Sequence, residues 1–89
     1  MTKWPGPIVS MFLGQTTPAA VLAAADDPDP KKKREQVCEA NFFTAELAAK
    51  QRRKDDALRL FQLAASDCPR NFVEWSAARS ELKALGAAP

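Results

Sequence analysis

The sequence predicts an all-α fold of about five helices. Two observations support this prediction: no segment shows the period-two alternation of an exposed β-strand, and apolar residues recur at helical spacing from Val37 to Leu85. The chain has 89 residues, of which 46% are hydrophobic and 27% are charged, as is ordinary for one globular domain. We therefore expect a single helical domain with three segments: an N-terminal helical hairpin with its linker (1–30), one complete hairpin (31–71) and a C-terminal half-hairpin or capping helix (72–89).

The first helix is expected in the apolar segment of residues 4–13. Pro5 or Pro7 can occupy its first turn, where a proline costs no backbone hydrogen bond. Gly14 follows the segment, and glycine is the residue that most readily adopts the left-handed conformation at a helix C-terminus. The segment is therefore predicted to be a short helix that ends at this glycine.

A second short helix is expected at residues 19–25. Thr17 supplies an N-cap and Pro18 a first-turn proline, and the alanine-rich segment after them has high helix propensity. Pro28 and Pro30 then indicate a linker at residues 26–30, because each disfavours helical dihedrals in the residue before it. Asp29 in this linker is placed to cap the next helix.

Residues 31–51 contain no helix breaker, and they predict one long third helix. Its apolar residues form two rows at helical spacing. The first row is Cys38, Phe42, Ala45 and Ala49, and the second row is Val37, Ala40, Phe43 and Leu47. Rows on two sides predict a helix that packs against neighbours on two sides.

Two more helices are expected after a polar turn at residues 52–55. The fourth is amphipathic and ends at Pro69. Its expected buried residues are Ala57, Leu60, Phe61, Ala64 and Ala65. Asn71 is a good N-cap for the fifth helix, which Gly86 closes. The expected buried residues of the fifth helix are Phe72, Trp75, Ala78, Leu82 and Leu85.

The composition argues against several classes of function. A net charge of +2 is too small to attract nucleic acid or an anionic membrane by itself. The absence of histidine removes the commonest general base and metal ligand. The sequence also has no Gly-rich phosphate loop and no Ser or Cys with an evident base partner. We therefore expect no enzyme activity, no catalytic, metal-binding or cofactor-binding residues, and no cofactor.

One strong charge run stands at the start of the third helix. This basic run consists of Lys31, Lys32, Lys33 and Arg34. Four adjacent cations can contact phosphates or an acidic partner. The run follows Asp26, Asp27 and Asp29, however, so local neutralisation is the simpler interpretation and a nucleic-acid partner is not expected.

The N-terminal apolar segment is too short, and too interrupted by Pro5 and Pro7, for a signal peptide or a membrane span. We therefore expect no membrane span and no export signal in this sequence. Its compartment is left open. The periplasm or cell envelope is expected if the full-length protein is exported, and the cytoplasm otherwise.

From Cys38 onward, residues recur at the offsets of a repeated helical hairpin. Within one copy, intervals of four, three and five residues separate Ala57, Phe61, Ala64 and Pro69. Between copies, Trp75 stands 34 residues after Asn41. Gly86 likewise stands 34 residues after Arg52. This spacing resembles the tetratricopeptide-repeat (TPR) family, whose 34-residue unit is a pair of antiparallel helices.

The resemblance implies one complete repeat at residues 38–71 and the first helix of another at residues 72–85. Asn41, Thr44 and Arg52 stand where the family has Trp, Leu and Gly. The N-terminal helices around Gly14 look like a further hairpin, with its glycine 38 residues before Arg52. The implied fold is a short TPR-like solenoid of stacked hairpins. Because such arrays need about three repeats, we expect a C-terminal fragment of a longer array or a unit that self-associates.

Within the family, the last repeats of bacterial cell-envelope TPR lipoproteins look similar to this chain. The similar stretches are WPGPIVSMFLG at residues 4–14 and FVEWSAARSELKALG at residues 72–86. The resemblance implies adaptor work, in which hydrolases or proteases are brought to partner proteins.

Cys38 opens the first helix of the complete repeat and Cys68 closes the second. In an antiparallel hairpin those two ends meet, so a disulfide between Cys38 and Cys68 is one interpretation. Two free, half-buried thiols are the other interpretation, and it is the ordinary one for a reducing compartment. The sequence leaves both open.

The resemblance also implies a concave groove lined by the first helix of each repeat. The matching residues are Glu39, Phe42, Glu46, Lys50, Ser76, Ser80 and Lys83. Phe42 would be the apolar anchor of this groove, unless it packs under the preceding helices. We expect a protein-interaction scaffold that binds a peptide or partner-protein segment. The alternative is a structural capping or self-association module, such as a homo-oligomer, without a ligand groove.

Overall fold

Residues 3–86 are described by a computed structural model, and they form five α-helices without a β-strand between these limits. The helices are α1 (Gly6–Phe12), α2 (Pro18–Ala24), α3 (Pro30–Lys50), α4 (Lys54–Asp67) and α5 (Val73–Ala84). The all-α prediction and the number of helices are confirmed. The first two residues of the predicted N-terminal hairpin and the last three of the predicted C-terminal segment lie outside the described residues.

The expected side-chain caps begin α2 and α3. The Thr17 hydroxyl accepts a hydrogen bond from the backbone N–H of Ala20 at 3.1 Å. The Asp29 carboxylate accepts one from the backbone N–H of Lys31 at 2.9 Å. Each bond satisfies a donor that has no partner within its helix, so these two residues fix where α2 and α3 begin.

The start of α5 differs from the expectation. Its N-cap is Phe72, which makes no side-chain capping bond, and not Asn71. Asn71 lies inside a turn in which the backbone N–H of Phe72 donates to the carbonyl of Pro69 at 3.0 Å. This turn delays the helix, because the residues after Pro69 must first reverse the chain. The polar turn before α4 is in contrast shorter than expected, since α4 already begins at Lys54.

The first, third and fifth helices each end at a residue with left-handed backbone. The φ angles are 75° at Gly14, 62° at Arg52 and 84° at Gly86. Around Arg52, the N–H of Arg53 donates to the Ala48 carbonyl at 2.8 Å, which is the hydrogen bond that closes a Schellman motif. Arg52 therefore holds a conformation that glycine or asparagine adopts more easily.

Replacing Arg52 by Asn is expected to raise the free energy of unfolding by about 1 kcal/mol, because asparagine tolerates the left-handed region that arginine does not. Chemical denaturation measures the change. The matched control is Arg52→Ala, which removes the same charge but keeps a side chain unsuited to positive φ. An equal gain in both variants would assign the effect to the charge of Arg52 and contradict the backbone argument.

The core lies on both sides of α3. On one side, α3 packs against α4 and α5, and the buried residues include Cys38, Phe42, Ala45, Phe61 and Leu82. On the other side, Ala40 of α3 packs against α1 and α2, with Val37, Phe43 and Leu47 partly buried beside it. The two-row prediction for α3 is confirmed, because each row belongs to a different side of the core.

The expected buried residues of α4 and α5 also lie in the core. Ala57, Leu60, Phe61 and Ala64 of α4 are buried, as are Ala78 and Leu82 of α5. Ala65, Phe72, Trp75 and Leu85 are only partly buried against the same cluster. None of the helices between residues 3 and 86 combines the length and the apolar character that crossing a membrane requires.

Candidate functional site

The predicted groove residues differ in how far they are buried. Glu39 and Glu46 of α3 are partly buried. Lys50, Ser76, Ser80 and Lys83 are exposed. Phe42 is only 8% exposed and belongs to the core between α3 and α4. Phe42 is therefore covered, and its side chain is not available as the exposed anchor of a groove.

Phe42 is buried because of the face of α3 on which it lies. It follows Cys38 by four residues, so both side chains point toward α4, where the partner cysteine and Phe61 are found. The ring of Phe42 lies 5.8 Å from the ring of Phe61, edge to face. Phe42 is thus covered by α4, and neither the first hairpin nor a second copy of the chain is needed to bury it.

A different concave surface is present between α1, α3 and α5. It is an open cavity of about 490 Å³. Its lining residues are Pro5, Ile8, Val9, Phe12, Glu39, Phe43 and Glu74. We call this surface the α1–α3 groove. Within it, the side chains of Val9 and Phe12 remain 58% and 42% exposed, which is unusual for large apolar residues that lie side by side.

Phe43, and not Phe42, is the aromatic residue that α3 supplies to this groove. It lies in the second apolar row, which faces α1. The rings of Phe43 and Phe12 are 6.5 Å apart and meet edge to face. The sequence does contain a signal for the place of Phe43. Phe43 belongs to the second apolar row of α3, and only the short N-terminal helices were predicted to cover that row.

Glu39 and Glu74 form the acidic edge of the α1–α3 groove. The indole N–H of Trp4 donates a hydrogen bond to the Glu39 carboxylate at 3.2 Å. Burial raises the pKa of Glu39 above its usual value, the Trp4 bond opposes that shift, and the nearby charges of Glu74 and Glu35 reinforce it. Among residues 3–86, the ion pairs are Lys33–Asp26 and Arg53–Asp56. Neither groove carboxylate has a cationic partner there.

The α5 residues beside the glutamates of α3 are Glu74 and Glu81, and not the predicted Ser76, Ser80 and Lys83. Glu74 contributes to the raised pKa of Glu39. Burial is the main cause of the raised pKa of Glu46, and Glu81 adds to it. The reason is helical geometry: Glu74 and Glu81 flank the buried Ala78 on the inner face of α5, whereas the three predicted residues point to solvent.

Replacing Glu39 by Gln is expected to stabilise the protein more at neutral pH than at about pH 4. Because the pKa of Glu39 is raised in the folded state, ionisation disfavours the fold. The penalty is absent below the unfolded pKa, about 4.3, and complete above the higher folded pKa. Glutamine keeps the acceptor for Trp4. Urea denaturation of the parent and the variant at both pH values measures the stabilisation. An equal stabilisation at the two pH values would contradict the prediction.

The basic run lies outside the groove, at the start of α3. The ammonium group of Lys33 lies 3.1 Å from the Asp26 carboxylate. The Arg34 side chain donates a hydrogen bond to the backbone carbonyl of Asp67 at 3.0 Å. One of the four cations therefore pairs with the preceding acidic residues, and a second contacts a backbone carbonyl.

Cys38 and Cys68 are joined by a disulfide in the structure, and their α-carbons lie 4.9 Å apart. Both residues are buried on the α4 side of α3, away from the groove. The bridge ties the first half of α3 to the residue that follows α4. Between residues 3 and 86, no three Cys, Asp or Glu side chains are placed to hold a metal ion.

Comparisons with known proteins give no relative. No protein-family model matches the chain, and neither the curated proteins nor the solved structures contain a significant match. The resemblance to the TPR family therefore rests on residue spacing, and the candidate site rests on the geometry of the α1–α3 groove.

Proposed function

We propose that this chain is a TPR-like protein-interaction module that binds a segment of a partner protein in the α1–α3 groove. The observation that carries the proposal is the open apolar cavity in which Val9, Phe12 and Phe43 lie together. An exposed apolar surface in a concave site is typical of a binding surface, because its burial against a partner is favourable.

The placement of α1, α3 and α5 supports the TPR-like aspect of the proposal. Trp4 bonds to Glu39 across a separation of 35 residues. Glu39 in turn interacts with Glu74, which follows it by another 35. Successive members of this set of three interacting residues are therefore 35 residues apart, which is close to the 34-residue period of the TPR family. The first, third and fifth helices also end in the same way, at the left-handed residues Gly14, Arg52 and Gly86, which fits a repeated hairpin.

The alternative proposal is a structural capping or self-association module without a ligand groove. Large apolar side chains outside the groove favour it, since Leu13 and Val73 are both largely exposed. A second copy that covers them would make a homo-oligomer. Sedimentation of the purified chain separates the alternatives, because a capping module that self-associates gives a dimer or larger species and a free groove does not require one.

Binding in the groove is expected to depend on Val9 and Phe12. Peptides selected from a random displayed library on the parent protein should bind the Val9→Ser/Phe12→Ser variant at least about tenfold more weakly, because about 1.4 kcal/mol of apolar contact is lost. Fluorescence anisotropy measures the affinity. Leu22→Ser is the matched control, since Leu22 is an exposed aliphatic residue of α2 outside the groove. Equal affinity for all three proteins would rule out the groove as the binding site.

A further inference from the structure

We infer that the partner segment carries a Lys or Arg side chain next to an apolar one, with the cation bound between Glu39 and Glu74. This inference rests on the proposed function, because it assigns the chemistry of the occupant of the α1–α3 groove. It follows from the way in which the groove divides into an apolar half and an acidic edge.

The apolar half is formed by α1 and the second row of α3. Ile8 is buried at its base, and the partly buried Phe43 stands beside it. Val9 and Phe12 form the exposed side. The cavity is open, and its volume of about 490 Å³ leaves room for a side chain of the partner. This half fits an apolar side chain, because a polar group would find no hydrogen-bond partner among these residues.

The acidic edge is formed by Glu39 and Glu74, which line the same cavity. Trp4 donates its hydrogen bond to one oxygen of the Glu39 carboxylate at 3.2 Å, and this bond orients the carboxylate. The second oxygen of Glu39 can accept a hydrogen bond from a ligand. Two neighbouring carboxylates without an ion pair among residues 3–86 repel each other. An ammonium or guanidinium group placed between them removes that repulsion and adds charge-assisted hydrogen bonds.

The basic run of a second copy is a poorer occupant than a separate partner. It offers four cations, but Lys33 and Arg34 already contact Asp26 and the Asp67 carbonyl. The surrounding residues 26–36 contain no large apolar side chain other than proline. The basic run of a second copy therefore supplies the charge without the apolar group that the other half of the groove requires.

The test uses short peptides selected from a random displayed library on the parent protein. We expect selected sequences to be enriched in Lys or Arg beside an aliphatic or aromatic residue. The affinity of these peptides should fall at least about tenfold in Glu39→Gln/Glu74→Gln, because each glutamine removes a charge but keeps an acceptor. Asp55→Asn/Asp67→Asn is the matched control. It removes the same charge at exposed positions outside the groove and should leave the affinity unchanged.

The possible results separate this inference from the proposed function. Peptides that lose affinity in Val9→Ser/Phe12→Ser, but lack Lys and Arg or bind the glutamine variant normally, would overturn the cation assignment and leave the groove as the binding site. Selection that yields no groove-dependent peptide would overturn both. An equal loss in the glutamine variant and in the Asp55/Asp67 control would show a general effect of net charge, and would also overturn the assignment.

Discussion

Replacing Phe61 by Ala is expected to lower the free energy of unfolding by about 3 to 5 kcal/mol. Phe61 lies on α4 with 0% of its surface exposed, in the core shared by α3, α4 and α5. Its removal leaves a cavity beside Phe42, whose ring lies 5.8 Å away. Because small domains are stable by only about 5 to 15 kcal/mol, such a loss is a large fraction of the total. Urea denaturation followed by circular dichroism measures it.

Two controls test whether the loss comes from burial. Leu63→Ala changes a half-exposed residue of the same helix and should cost far less. Trp75→Ala should also cost less than Phe61→Ala, although the sequence pattern gives both residues a similar place at a helix–helix seam. Trp75 is only partly buried, and the guanidinium groups of Arg70 and Arg79 lie 5.8 and 5.0 Å from its ring centroid. A larger loss for Trp75 would contradict the packing described for α5.

Most of the fold could be predicted from the sequence because its signals are local. The caps at Thr17 and Asp29 and the glycines that end α1 and α5 depend on a few neighbouring residues. The two apolar rows of α3 follow from helical period alone. The prediction that Asn71 caps α5 was wrong. Asn71 is of a suitable residue type for an N-cap, but it lies inside a turn, and the helix starts only after that turn.

The candidate site could be predicted only incompletely, because it depends on which neighbour covers each row of α3. Phe42 and Phe43 are adjacent in sequence, and both are apolar aromatics on a helix with two packed sides. Which one remains accessible depends on the lengths of the neighbouring helices. The 14 residues of α4 cover Phe42, whereas the 7 residues of α1 leave Phe43 beside an open cavity. That difference is tertiary: the spacing pattern places Phe43 in the row that faces the short N-terminal helices, but it does not show that α1 leaves a cavity open there.

Opening the Cys38–Cys68 bridge is expected to lower the free energy of unfolding by about 3 to 4 kcal/mol. A cross-link between residues 30 positions apart restricts the unfolded chain, and the loop-entropy estimate for such a loop gives this magnitude. In a domain of this size the midpoint of thermal unfolding should fall by more than about 10 °C. Thermal melts with and without reductant measure the change, and mass spectrometry under non-reducing conditions shows how much of the protein carries the bridge.

The control for reductant effects is Cys38→Ala/Cys68→Ala, whose melt should not respond to reductant and should lie near that of the reduced parent. Peptide binding in the α1–α3 groove should change little while the reduced protein stays folded. The bridge joins α3 to the end of α4, and neither Cys38 nor Cys68 lines the groove, where Trp4 contacts Glu39. Reduction of the bridge releases a constraint on the unfolded chain. It does not remove any contact within the groove. A melt unaffected by reductant in fully bridged protein would show that the cross-link does not stabilise this fold.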